Sequence, residues 1–234
     1  MIAKIGITLI LGLFAQAANS ADLDPYFRSI YIGTGETSRI IRKIFQNYDP
    51  YSRPKPADGG PTKVTIWIHV IDMMWREDGL YVKGAYKRRW IDERLKFEVK
   101  PGGREYIYLD ANEFENHIWQ PETFLVTHYR HDRWNKGLIR IFSNGTVDDK
   151  HLGTTVIHVP ESIKNQKSAD TTFIVTDFLY DKLGMDMNWY SNGCLIIHNE
   201  GMVKLENLKC FKTLTTINNR DYEHLNGNFT FTRP

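Results

Sequence analysis

From Lys63 to Val70 the chain alternates without a break, with Val64, Ile66, Ile68 and Val70 on one side and Thr65, Trp67 and His69 on the other. A period of two sustained this long defines a half-buried β-strand and is incompatible with the 3.6 period of a helix. Strand-like runs recur at Leu80–Trp90, Arg94–Val99, Glu105–Leu109, Gly137–Phe142, Thr171–Phe178, Met185–Trp189, Leu205–Leu214 and Asn226–Thr232. Turn chemistry separates them, as in Pro101-Gly102-Gly103, Ser143-Asn144-Gly145 and Ser191-Asn192-Gly193. Many short strands with regular turn signals predict a β-sandwich or barrel. One helix is expected, over Glu36–Asn47, where Ile40, Ile41, Ile44 and Phe45 form a one-sided pattern and Thr37 or Ser38 is available as a cap. Tyr48-Asp49-Pro50 stops it, and a loop follows through Pro61.

The first residues differ from the rest. Lys4 precedes an apolar run from Ile5 to Phe14, and small residues follow through Ser20. That layout predicts a secretory signal peptide over residues 1–20, cleaved after Ala17 or Ser20, with a single domain over 21–234. No later run is long enough to span a bilayer. Asn144-Gly145-Thr146 and Asn228-Phe229-Thr230 are acceptor triplets for N-glycosylation. Cys194 and Cys210 are the only cysteines, and an oxidising compartment favours their pairing. Secreted or extracellular placement is the expectation.

The formal charge of +2 gives no support to a nucleic-acid partner, which would need a clustered basic face. The cluster Lys83, Lys87, Arg88 and Arg89 reads as a solvated or subunit-facing edge. The histidines are scattered; His128 and His131 are the nearest pair and lack a third ligand, so they read as loop residues and no metal site is expected. No nucleophile elbow, P-loop or dinucleotide fingerprint is present, and neither an enzyme nor a cofactor is predicted. Carboxylate pairs assemble in space rather than in sequence, which leaves a glycosidase or lectin-like sandwich as the weaker alternative.

Several motifs, read in order, resemble the extracellular ligand-binding domain of the Cys-loop (pentameric) neurotransmitter-gated channel family. Trp90-Ile91-Asp92-Glu93-Arg94-Leu95-Lys96-Phe97 is similar to its W-x-D-x-R-L-x-F/W stretch, and Ile118-Trp119-Gln120-Pro121-Glu122-Thr123-Phe124 to its I-W-x-P-D-x-F/Y segment. Leu138-Ile139-Arg140-Ile141 before Ser143-Asn144-Gly145-Thr146 resembles its L-x-R-I hairpin. Asp177-Phe178-Leu179-Tyr180 and Trp189 match its S-Y/W-x-Y…W spacing, and Tyr222 through Arg233-Pro234 resembles the last strand before the first membrane helix. The wording is closest to the anion-channel branch. The resemblance implies an all-β, immunoglobulin-like β-sandwich of about ten strands with one short N-terminal α-helix, assembled from identical or homologous subunits into a pentamer. Trp90 and Trp119 read as core packing, and Asp92 with Arg94 as a structural polar pair.

The chain departs from the family where the two eponymous cysteines belong: Val159 and Thr171 take those places. In the family a small molecule sits between two subunits. The resemblance implies that Phe124, Phe178 and Tyr222 supply the principal face, and Lys87 and Lys150 the complementary one. Two aromatic positions are lost, to Ala85 and Ile217. Each residue has a plainer alternative: sandwich packing for Phe124 and Phe178, a loop-tip surface tyrosine for Tyr222, a solvated strand-face lysine for Lys87. Such a pocket would be poor for quaternary amines and better for an anion-bearing ligand. Three functions follow from the resemblance: a soluble ligand-binding protein resembling the secreted acetylcholine-binding proteins, the ectodomain of a ligand-gated channel, or an interaction module that has lost ligand binding.

Overall fold

The computed structural model describes residues 34–76, 79–125, 136–157, 166–177, 179–191, 193–197 and 203–232. The expected signal peptide, His128, His131, Val159 and Phe178 lie outside these residues. Two compact units are present, Met1–Tyr48 and Asp49–Pro234. In the first, helix α1 (Glu36–Phe45) forms where the one-sided apolar pattern places it and buries Ile41 and Ile44. It starts after Gly35 rather than at a capped Thr37 or Ser38, and no side chain caps it. Phe45 meets Tyr48 edge to face at 5.5 Å between ring centroids.

The second unit is built mainly of β-strands. Its strands are β1 (Thr62–Arg76), β2 (Gly79–Ile91), β3 (Tyr106–Asp110), β4 (Thr123–Leu125), β5 (Lys136–Phe142), β6 (Thr146–Ile157), β7 (Ser168–Asp177), β8 (Met185–Trp189), β9 (Leu195–Ile197), β10 (Lys204–Ile217) and β11 (Arg220–Thr232). A one-turn helix, α2 (Ala111–Phe114), follows β3. Seven strands form one sheet in the order β3-β5-β6-β2-β1-β8, with β9 also pairing β1, and four form the other in the order β10-β11-β7-β4. Both β8 and β9 run parallel to β1, and all other pairs are antiparallel.

Alternation does the building. Val64, Ile66, Ile68 and Val70 of β1, and Leu80, Val82 and Trp90 of β2, all point to the core of the sandwich. From the smaller sheet Phe173, Val175, Leu225, Phe229 and Phe231 meet them. Gly227 is required here, because a Cβ would stand 2.2 Å from the Phe173 ring. Trp90 and Trp119 pack edge to face at 5.8 Å, and both are buried, as expected of core tryptophans. Asp92 is fully buried and held by the Arg94 guanidinium at 2.7 Å, the expected polar pair.

Three expectations are corrected. Arg94–Val99 is not a strand: Asp92 accepts from the Arg94 amide and caps a short 3₁₀ turn over Glu93–Leu95. The two final strands are longer than their apolar runs and form one hairpin. Asn218 and Asn219, both with positive φ, make its two-residue turn between the Ile217–Arg220 pair. Finally, the Lys83–Arg89 cluster is not an edge, since β2 lies between β1 and β6, and alternation drives Arg88 inward.

Cys194 and Cys210 are bonded, with Cα atoms 5.7 Å apart. Cys194 belongs to the larger sheet's margin, where its carbonyl accepts from the Ile68 amide at 2.9 Å, while Cys210 lies in β10. The bridge therefore ties the two sheets midway along the β10–β11 hairpin.

Candidate functional site

Antiparallel partners share a face, so the register of β1, β2, β6 and β5 dictates which side chains meet on the outside of the larger sheet. One row runs Trp67, Lys87, Lys150, Leu138. The next runs Thr65, Arg89, Asp148, Arg140, Tyr108. Apart from Thr65, these rows, with His69 and Tyr190 at one side, line an open cleft of about 430 Å³. Trp67 lines it and packs on Tyr190 with centroids 5.1 Å apart.

The charges in this cleft are unequal. Asp148 is clamped by two guanidiniums: Arg89 through two contacts, one of 2.9 Å, and Arg140 at 2.6 Å. Those contacts outweigh the cost of its burial and hold its carboxyl below the usual range. Lys87 and Lys150 have no such partner among the described residues. The Lys87 ammonium lies 3.3 Å from His69 Nε2 and 5.7 Å from the Trp67 ring centre. Burial, then the neighbouring Lys150, pushes its pKa below the ordinary lysine value, and Asp148 only partly compensates. Lys87, Arg89, Arg140 and Lys150 thus line the cleft with two carboxylates, Asp148 and Asp149. Arg89 also lies 5.6 Å from the Trp67 ring centre, so the protein's own cations already occupy the surroundings of that ring.

One residue away, the opposite arrangement holds. Arg88 donates to Asp149 through Nε at 2.8 Å, to the Pro121 carbonyl at 2.6 Å and to Gln120 Oε1 at 2.7 Å. Burial opposes ionisation of Asp149, yet Arg88 and His151 outweigh it and hold its carboxyl below the usual range. Tyr86, on the same inward face, is pushed up to about 12 by burial and donates to Thr123 at 2.8 Å. These bonds fix the segment leading into β4, and with it the position of Phe124.

Phe124 is 45% exposed on the outer face of the smaller sheet, not packed in the sandwich. It stands opposite Thr176 of β7, which in turn stands opposite His224 of β11, and Tyr222 follows two residues further along β11. Tyr222 is half-buried within that strand, opposite Thr215, rather than at the hairpin tip. Lys87 and Lys150 therefore share one row and one cleft, and Phe124 and Tyr222 share a face of the other sheet. Neither ring lines the Lys87 cleft within one chain. Ala85 lies one row from Lys87 and is buried, and Ile217 is exposed at the hairpin tip.

Sequence reasoning missed Trp67, Arg140, Asp148 and Tyr190. For Trp67 a signal existed: a large aromatic on the polar side of a clean alternation. Among the described residues no cluster of three metal-ligating side chains occurs, and no helix is long and apolar enough to cross a membrane.

A β-sandwich carrying a cationic cleft on one sheet and an exposed aromatic face on the other defines a class of ligand-binding domain. Residues 37–154 match the neurotransmitter-gated ion-channel ligand binding domain, and the chain belongs to that family. It is similar to a glutamate-gated chloride channel of Drosophila melanogaster, with 32% identity over 109 residues, covering 43% of this chain and 23% of that protein. The chain thus matches less than a quarter of the length of this relative.

Proposed function

We propose that this domain binds a carboxylate-bearing small molecule, of the amino-acid transmitter type, between neighbouring subunits of an extracellular pentamer. The observation that carries the reading is the pair Lys87 and Lys150, opposite each other in an open cleft and neither in a salt bridge among the described residues. A ligand carboxylate supplies the missing charge. The Trp67–Tyr190 wall gives the ligand an apolar surface. Phe124, Phe178 and Tyr222 of the adjoining subunit close the site from the other side. A quaternary amine finds no equivalent cage at Trp67, because Lys87 and Arg89 repel it.

Isothermal titration of the assembled protein with glutamate and with acetylcholine tests this. A charge-assisted hydrogen bond contributes about 1.5–3 kcal/mol, so Lys87→Ala lowers glutamate affinity by roughly 10- to 150-fold. Lys150→Ala acts in the same direction, and Phe178→Ala weakens binding from the adjoining subunit. Tight acetylcholine binding that survives both Lys87→Ala and Phe178→Ala sinks the reading. Light scattering that finds only monomer at micromolar concentration removes the inter-subunit site.

A second reading, the ligand-binding part of a ligand-gated chloride channel, is favoured by the name of the relative matched over 109 residues. Sequencing the whole transcript separates the two, since a channel requires membrane helices after Pro234.

A further inference from the structure

The outer face of the smaller sheet away from Phe124 carries a second concavity, of about 400 Å³, on strands β7, β10 and β11. Its lining is almost wholly hydrogen-bonding: Asp170, Thr172, Asn207, Lys209, Asn228 and Thr230. The register explains the hollow. Lys209, Asn228 and Thr172 form one row across the three strands, and Thr230 stands opposite Asp170 in the next. Between Glu206 and Lys209 the β10–β11 ladder slips, and Asn207 takes a positive φ of 55°. A bulge of this kind bends the strand away from its partner and opens space beside Asn228.

Within this trough Asn228 is held by its oxygen alone. Thr172 donates to Asn228 Oδ1 at 2.9 Å, while Nδ2 makes no hydrogen bond among the described residues. Thr230, the third residue of the acceptor triplet, donates to Asp170 at 2.6 Å and accepts from Asn207 at 3.2 Å. The amide nitrogen is the atom that glycosylation uses. Phe229 between them is buried, so the triplet is anchored through its middle residue.

We infer that Asn228 is N-glycosylated and that this trough seats the first sugar of the glycan. In the transfer, Nδ2 attacks the anomeric carbon of a lipid-linked oligosaccharide diphosphate. The new N–C bond replaces the C–O bond, the diphosphate leaves with its electron pair, and the amide loses one proton. Hydroxyl and N-acetyl groups of an aminosugar find both donors (Lys209, Asn207) and an acceptor (Asp170) around the trough. Asn144 differs. It is exposed at the β5–β6 turn, with its oxygen taken by the Thr146 amide at 3.0 Å, and it does not line the trough. A sugar on Asn144 would stand free in solvent. The inference is independent of what the Lys87 cleft binds.

The test uses full-length chain secreted from eukaryotic cells, treated with peptide-N-glycosidase in ¹⁸O-water and mapped by mass spectrometry. Asn228 is expected to carry the ¹⁸O label, and Thr230→Val to lose it, while Thr230→Ser, which preserves the triplet, retains it. Seating has its own readout. Under native conditions enzymatic release from Asn228 is expected to be at least tenfold slower than after denaturation, whereas any glycan on Asn144 is released equally fast in both states. Secreted protein unlabelled at Asn228 overturns the modification. Release from Asn228 at the same rate folded and denatured overturns the seat.

Discussion

Lys87 and Arg88 are neighbours on β2, yet their side chains face opposite ways and meet opposite chemistry. Arg88 enters the core, where Asp149, the Pro121 carbonyl and Gln120 take up its donors. Lys87 faces outward among cations, close to His69, with no salt bridge among the described residues. A charge in the interior is tolerated only when it is matched and hydrogen-bonded. At the cleft the match is left open. Alternation along one strand thus separates a matched cation in the core from one at the surface without a salt bridge among the described residues.

The largest expected effect breaks the matched side. Arg88→Ala leaves Asp149 buried and unpaired, which costs about 3–5 kcal/mol in a denaturant titration. Replacing both partners, Arg88→Met with Asp149→Leu, is expected to cost far less than the sum of the single changes. By contrast Lys87→Ala stays within roughly 0.5 kcal/mol of the parent, because nothing in the fold relies on that ammonium. Equal losses for Arg88→Ala and Lys87→Ala would erase the distinction between the two faces.

Next in size is the bridge between the sheets. Cys194 and Cys210 are 16 residues apart, and closing a loop of that length stabilises by about 3 kcal/mol in the chain-entropy account. Cys194→Ser combined with Cys210→Ser is therefore expected to lower the unfolding midpoint markedly. Because the bridge anchors β10, hydrogen exchange should rise along the whole β10–β11 hairpin and change little at the Lys87–Lys150 row. Uniform acceleration across both sheets would show that the bridge acts on the entire sandwich instead.

How much of this was legible in the sequence depends on how far each feature reaches. The period of β1, the ends of β2 and the helix at Glu36 are local, and each follows from side-chain spacing alone. Arg94–Val99 misled because its apolar residues pack individually after a 3₁₀ turn that an Asp92 side-chain bond nucleates. Strand β6 gives no alternation signal of its own, since Asp148-Asp149-Lys150-His151 is polar throughout. Only the register shows that alternate members face the core and the cleft. Lys87 and Lys150 are proposed from the family resemblance. Arg140, Asp148 and Tyr190 join them only because four strands and a loop are aligned, and no single segment carries that information.

A smaller effect sharpens the open side. Asp148→Asn releases Arg89 and Arg140 from their shared carboxylate and increases the positive surplus of the cleft. Exposed and half-exposed ion pairs contribute up to about 1 kcal/mol, so stability falls by that order, and the loss alters as salt screens the guanidiniums. Affinity for a carboxylate ligand is expected to rise, most strongly at low salt. A variant that loses stability without gaining anion affinity would mean that Arg89 and Arg140 do not share the field of Lys87.

The smallest effect concerns two carboxyls of opposite sign. Asp149 has its folded pKa lowered through Arg88 and His151, although burial works against it. Between the folded and unfolded values the unfolded chain binds more protons, so this stabilisation is present above the ordinary carboxylate range and is lost as pH falls through the folded value. Asp177, at the end of β7, is raised instead: burial dominates, amides of Tyr180 and Leu179 partly offset it, and Glu122 adds to it. One of its oxygens accepts from those two amides at 2.6 and 2.7 Å, and the other has no partner among the described residues. Here the folded state binds the proton more tightly, so the contribution is complete below the unfolded pKa and disappears as pH rises through the folded one. Asp177→Asn removes that pH-dependent loss. Compared with the parent, the variant should gain stability from acid to neutral pH, in thermal melts taken across that range. A variant whose difference from the parent shows no change with pH would place the Asp177 carboxyl in contact with water.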